Sequence, residues 1–193
     1  MQNNAISPRA RRNNVVQRIL TAALREVMRH GAAKISMADV AVAAKVSRTT
    51  LYKYYPVKDD LLTAIGLHVR DLFRDQLHAA LSGNATPRAR LVAVLSFMRR
   101  FHEDWRAEQM IDLEIGSIVA GIRQSFDYYC SLFMDALAPT FDALDALFGK
   151  RRKVNRRLMV EILIRVQLSN AIVRLGSDWH DLPDSMGDAW DLF

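Results

Sequence analysis

Cysteine occurs once in the 193-residue chain, at Cys130, which excludes an intrachain disulfide framework and a cysteine-rich zinc site. Glycine (8) and proline (5) are scarce, too few for the closely spaced turns of an all-β fold. Long apolar runs are missing too. The most apolar later stretch, 158–168, is interrupted by Glu161 and Arg165 and falls short of the ~20 residues that a membrane span requires. Residues 1–18 are polar and arginine-bearing, with no apolar export segment behind them. These absences lead to the expectation of a soluble protein of a reducing compartment, the cytoplasm, with no membrane partner.

Catalytic chemistry has little to stand on. His30, His68, His78, His102 and His180 show no HExxH or other compact metal spacing, and no glycine loop is built to cradle a phosphate. No catalytic residue, metal or cofactor is expected.

What the chain does have is ample core material and an uneven charge. Half of it is apolar and a quarter charged, with a net charge of +6. Residues 1–58 hold eleven Lys and Arg against two acids, Glu26 and Asp39, for a net +9, which leaves −3 for residues 59–193. A basic head on a mildly acidic body points to a polyanionic partner for the head.

Apolar spacing predicts helices nearly throughout. Residues 1–14 show no such spacing and read as a disordered basic arm, with a first helix from Val15 capped by Asn13 or Asn14 and stopped by Gly31. Ser36 and Asp39 form a plausible capping box for a short helix over 37–44. Ser47 caps another over 48–54, which Pro56 ends. Two short helices joined by the tight link Ala44-Lys45-Val46-Ser47 make a helix-turn-helix candidate. A long helix follows over 58–82, with Leu62, Ile65, Val69, Leu72, Phe73, Leu77 and Leu81 on one side. Further helices are expected over 87–103, 108–121, 124–148 (with Pro139 kinking or breaking it) and 150–175. In the tail, Met186, Trp190 and Phe193 make an apolar stripe able to dock a short last helix.

The head contains Ile19-Leu20-x-Ala22-Ala23, Gly31, Asp39-Val40-Ala41, Val46-Ser47, Thr50-Leu51-Tyr52-x-Tyr54-Tyr55 and Lys58-x-x-Leu61. In these ordered matches, over about residues 15–65, the chain resembles the TetR family of bacterial transcriptional repressors. It departs from the family pattern at Lys45 (usually glycine), Val57 (usually a capping Ser or Asn), and Glu26 and Val27 (usually Leu-Phe). A left-handed residue at position 45 is strained without glycine.

A helix starting after Ser47 presents Arg48, Thr49, Tyr52 and Lys53 outward, with Leu51 and Val46 as anchors. Arginine reads guanine bidentately and a threonine methyl meets thymine. Tyr52, Tyr54, Lys58 and the amide end of the Ser36 helix suit phosphate oxygens. The resemblance implies largely these uses for Thr50, Tyr52, Tyr54 and Lys58. Arg9, Arg11 and Arg12 of the arm either lie along a minor groove or stay solvated. Tyr55 reads as a packing residue.

The helix 150–175 is apolar at twelve of the eighteen positions 158–175, so one side faces its own body and the other needs a cover. Together with the resemblance this implies a homodimer, with Leu158, Ile162, Val166, Ile172 and Val173 at the interface. Large deformable groups, among them Phe97, Phe101, Trp105, Met110, Phe126, Tyr129 and Phe133, are able to line an apolar pocket. The resemblance implies a small-molecule effector site there, and Glu114 is a candidate to orient a cationic ligand.

The fold class expected is all-α: a three-helix helix-turn-helix DNA-binding domain over 1–58, then a helical ligand-binding and dimerisation domain over 59–193. The function expected is a ligand-responsive repressor that binds double-stranded DNA as a homodimer. The alternative is a helical small-molecule-binding protein or enzyme that does not act through DNA. A third reading, a nonspecific DNA-architectural protein, predicts equal affinity for all sequences, and a membrane-surface protein fits less well because the basic segment lacks a broad apolar face with Trp or Phe.

Overall fold

The computed structural model describes residues 7–83, 86–104, 107–148, 155–172 and 181–190. Side chains at 8, 102, 104, 107–115, 117, 118, 148 and 170–172 lie outside that description. The described residues form α1 (Pro8–His30), α2 (Met37–Ala43), α3 (Arg48–Tyr54), α4 (Lys58–Leu81), α5 (Pro87–Asp104), α6 (Ala107–Ala136), α7 (Ala138–Phe148), α8 (Arg156–Ile172) and α9 (Leu182–Trp190), with no strand among them. The fold is all-α. Two compact units emerge, Met1–Asp71 and Leu72–Phe193. The charge boundary at residue 58 coincides with the first residue of α4, whereas the packing boundary falls inside that helix.

In the first unit α1 packs on α2 and α2 on α3. Its core is Ile19, Ala23, Val40, Leu51 and Leu61, all without solvent exposure. Burying one such Leu or Ile is worth about 1.5–3 kcal/mol. Val46, expected as an anchor beside Leu51, is half-buried. The start of α1 corrects the arm expected over 1–14. Ser7 Oγ accepts from Ala10 N at 3.2 Å and Pro8 occupies the first turn, so the helix begins at Pro8 rather than Val15. A serine cap followed by proline is a start signal of its own, and the five polar residues between Pro8 and Val15 do not prevent a helix. Arg9, Arg11 and Arg12 therefore stand on a helix. At the other end the Gly31 N–H closes on Val27 O at 2.8 Å, with Gly31 at φ 82°.

The second unit has a core of Leu77, Val94, Phe97, Cys130, Phe133, Phe141 and Val160. Two expectations are corrected here. Gly121 does not end a helix: α6 runs unbroken from Ala107 to Ala136. A glycine inside a helix costs about 1 kcal/mol relative to alanine, less than burial of Cys130 and Phe133 on the same helix returns. The break comes instead at Leu137, because Pro139 in the first turn of α7 lacks an N–H and its ring opposes the carbonyl four residues back. The last long helix opens later than residue 150, at Arg156, where Asn155 Oδ1 accepts from Leu158 N at 3.1 Å.

The short terminal helix exists, and of its expected stripe Trp190 is half-buried. α9 lies against α5 through buried Pro183 and Gly187, while Met186 is 41% exposed and Phe193 is outside the described residues. Arg88 Nε donates to Gly187 O at 3.1 Å, and a Cβ at position 187 would sit 3.1 Å from Val92 Cγ2. Close backbone approach at Gly187 helps to seat this helix.

Candidate nucleic-acid interface

The interface is built from two short helices whose ends are closed by side chains. At the start of α2, Ser36 Oγ accepts from Asp39 N at 3.2 Å and donates to the Asp39 carboxylate. At the start of α3, Ser47 Oγ accepts from Thr50 N at 3.0 Å and lies 2.8 Å from Thr50 Oγ1. Ser36, Ser47 and Thr50 thus spend their hydroxyls on caps. Each such cap is worth about 1 kcal/mol.

Between the helices the turn closes by paired bonds: Lys45 N donates to Val42 O at 3.0 Å and Val46 N to Ala41 O at 3.0 Å. This is a Schellman stop, and it places Lys45 at φ 53°, the left-handed position where glycine is the usual residue. A side chain there costs about 1–2 kcal/mol. The two carbonyls of the turn, Ala44 O and Lys45 O, accept from Arg18 Nη2 at 2.9 and 2.8 Å. Arg18 was missed by sequence reasoning, because nothing local links it to a turn 26 residues away. It shares the wall of an open groove of about 500 Å³ with Asn14, Gln17, Arg25 and Lys45.

On α3, Arg48, Thr49, Tyr52 and Lys53 are exposed, Thr50 and Tyr54 half-buried, and Leu51 fully buried. Among the described residues no carboxylate pairs with Arg9, Arg11, Arg48 or Lys53. Arg12 lies over the Tyr54 ring at 5.9 Å, which joins the start of α1 to the end of α3. Tyr55 is buried, and desolvation pushes its phenol up from the ordinary value, as fits a packing residue. Lys58 is half-buried and donates to Ala33 O at 2.8 Å.

The expected ligand residues converge only in part. In the second unit Phe73 meets Phe97, Phe101, Tyr129 and Phe133 edge to face at centroid distances of 4.9, 4.7, 5.0 and 5.7 Å. Phe73, the hub of this cluster, stood in the sequence only as one member of an apolar stripe. Phe126 packs against the same core, with the Arg165 guanidinium 5.4 Å from its ring centroid. Trp105 and the side chains of Met110 and Glu114 lie outside the described residues. Among the described residues no cluster of three or more His, Cys, Asp or Glu is placed to hold a metal ion. None of their helices is long and apolar enough to cross a membrane.

On α8, Val160 and Ile164 are buried against the body, whereas Leu158, Ile162 and Val166 are 49, 47 and 36% exposed. Arg157 and Arg165 both bond Glu161, and Arg157 also bonds Asp127. The two guanidiniums hold the Glu161 carboxyl below the usual carboxylate range. Val173 and the side chain of Ile172 lie outside the described residues.

A capped helix-turn-helix with a cationic outer face, followed by a helical unit, defines the class of protein. Residues 19–65 match the family described as "Bacterial regulatory proteins, tetR family". That segment is a TetR-type DNA-binding segment, and the match covers about a quarter of the chain. The chain is 44% identical over 54 residues to the HTH-type transcriptional repressor LfrR of Mycolicibacterium smegmatis, a match that spans 28% of this chain and 28% of that repressor. The whole fold is similar to that of the fatty acid degradation regulator FadR from Bacillus halodurans, with a TM-score of 0.67, 16% identity, and 90% of this chain and 92% of that one covered. A TetR-like regulator from Rhodococcus sp. RHA1 is similar at a TM-score of 0.60 and 21% identity, with 91% and 93% covered. AibR, solved with isovaleryl coenzyme A and operator DNA, is similar at 0.59 and 19%, with 91% and 97% covered.

Proposed function

We propose that this protein is a DNA-binding transcriptional regulator, a repressor that reads a pseudo-palindromic operator as a homodimer and responds to a small apolar effector. The observation that carries the reading is the outer face of α3, where Arg48, Thr49, Tyr52 and Lys53 stand exposed behind the Ser47 cap. Arg48 and Thr49 read base edges, worth about 1–3 kcal/mol of discrimination for a good bidentate pair. Tyr52, Lys53, Tyr54, Lys58 and the Ser36 and Ser47 helix starts set register on phosphates. Arg11 and Arg12, on the first turns of α1, approach the minor groove.

Two copies brought together through Leu158, Ile162 and Val166 of α8 present two recognition helices, and symmetry then demands half-sites one DNA turn apart (~34–36 Å) or a multiple of it. The aromatic cluster around Phe73 supports an apolar effector site, and the isovaleryl coenzyme A found with AibR supports responsiveness to a small molecule. The effector acts by population shift, favouring a state whose heads are wrongly spaced for the operator. It must bind the two states unequally, by ~10⁴-fold to move 1:99 to 99:1.

Selection of bound duplexes from a random pool tests the reading. An inverted repeat supports it. Equal recovery of all sequences makes the protein a nonspecific binder, and no salt-dependent duplex binding at all favours a helical small-molecule-binding protein or enzyme.

A further inference from the structure

We infer that Arg18 is a positioning residue for the recognition helix: its guanidinium takes the place of the missing turn glycine by clamping the left-handed turn at Lys45. The inference rests on the DNA-binding reading above for its functional half, while its structural half stands independently.

The argument begins with the carbonyls. A Schellman stop satisfies Ala41 O and Val42 O, and Ala44 N closes on Val40 O at 2.8 Å. Ala44 O and Lys45 O lie beyond these bonds, at the negative end of α2, and both accept from one nitrogen of Arg18. A cation at a helix C-terminus is favoured by the aligned peptide dipoles. One planar group bridging consecutive carbonyls also fixes their relative orientation, hence φ and ψ of Lys45.

The consequence reaches α3. Its N-cap, Ser47, stands two residues after Lys45, so the angle at which Arg48 and Thr49 leave the head follows from the dihedrals of this turn. Glycine at position 45 would adopt φ 53° without strain. Lysine adopts it here while Arg18 holds the exit. Arg18 itself is anchored one residue before Ile19, which is fully buried in the core of the first unit. The clamp therefore ties the turn to the buried core of the head, across 26 to 27 residues of sequence.

The test uses the full chain as wild type, Arg18→Ala, Lys45→Gly and the double variant. Each is measured by thermal unfolding and by affinity for the selected operator and a random duplex across a salt series. Arg18→Ala is expected to lower the melting midpoint and to weaken operator binding about tenfold while weakening random-duplex binding about threefold or less, with an unchanged salt slope. Adding Lys45→Gly is expected to restore operator affinity to within about twofold of wild type, because the two positions are energetically coupled. Equal loss on both duplexes with a salt slope reduced by about one makes Arg18 a phosphate contact and overturns the inference. Failure of Lys45→Gly to rescue also overturns it. Should the wild type bind no duplex, the regulator reading falls. The unfolding cycle then decides the clamp alone: a smaller cost of Arg18→Ala in the Lys45→Gly background sustains it, and an equal cost refutes it.

Discussion

Lys58, the first residue of α4, donates from Nζ to the carbonyl of Ala33, in the turn between α1 and α2, at 2.8 Å. The long helix is thereby fastened to the turn that precedes the Ser36 cap. Lys58 was expected only as a phosphate contact, and the bond gives it a structural task in the DNA-free chain. Lys58→Ala is expected to lower stability by about 1 kcal/mol, the usual worth of such a bond at a half-exposed site. It should also weaken operator and random duplex alike, because a phosphate contact carries no sequence information. Chemical denaturation and a pair of duplex titrations read the two effects separately, and an unchanged denaturation midpoint would show the Ala33 bond to be inconsequential.

Arg48 behaves differently. It is exposed, free of any carboxylate among the described residues, and first on α3. Arg48→Ala should cost about 1–3 kcal/mol on the operator and much less on random duplex, with little change in melting temperature. Fluorescence anisotropy on both duplexes checks this. Equal losses would move Arg48 from base reading to backbone contact.

Phe73 touches four aromatic rings within 5.7 Å. Phe73→Ala removes all four contacts and should destabilise the protein by about 3 kcal/mol, the lower end for a buried Phe because this ring is only partly enclosed. Phe73→Leu should lose less. A midpoint shift equal to that of an exposed substitution would show that the cluster is loose, with little packing at stake.

The outer face of α8 offers the test of assembly. Ile162 is 47% exposed at the middle of the run Leu158, Ile162, Val166. Sedimentation velocity at micromolar concentration should give a dimer for the wild type and a monomer for Ile162→Glu, since a buried unpaired carboxylate is strongly unfavourable. A wild-type monomer would remove the symmetry on which the half-site spacing depends.

Much of the head was legible in order along the chain. Ser36 with Asp39 and Ser47 ahead of Arg48 announce two helix starts, and α3 spans 48–54 as the spacing predicts. These are local signals, complete within four residues. The arm was misread for a related reason: Ser7-Pro8 is a start signal, but polar residues without periodicity hid it. In the second unit, glycine at 121 and proline at 139 looked like comparable punctuation, yet only proline breaks the helix, because it alone removes a donor.

By itself the amino-acid order determined the helical class, the two caps of the helix-turn-helix, the charge asymmetry of head and body, and the strain waiting at Lys45. Tertiary structure alone decided what relieves that strain and which ring stands at the centre of the aromatic cluster. Caps and turns are contacts between near neighbours, so residue order encodes them directly. The Arg18 bond to the α2–α3 turn and the rings around Phe73 join positions 24 to 60 residues apart, and only the folded backbone brings them within reach.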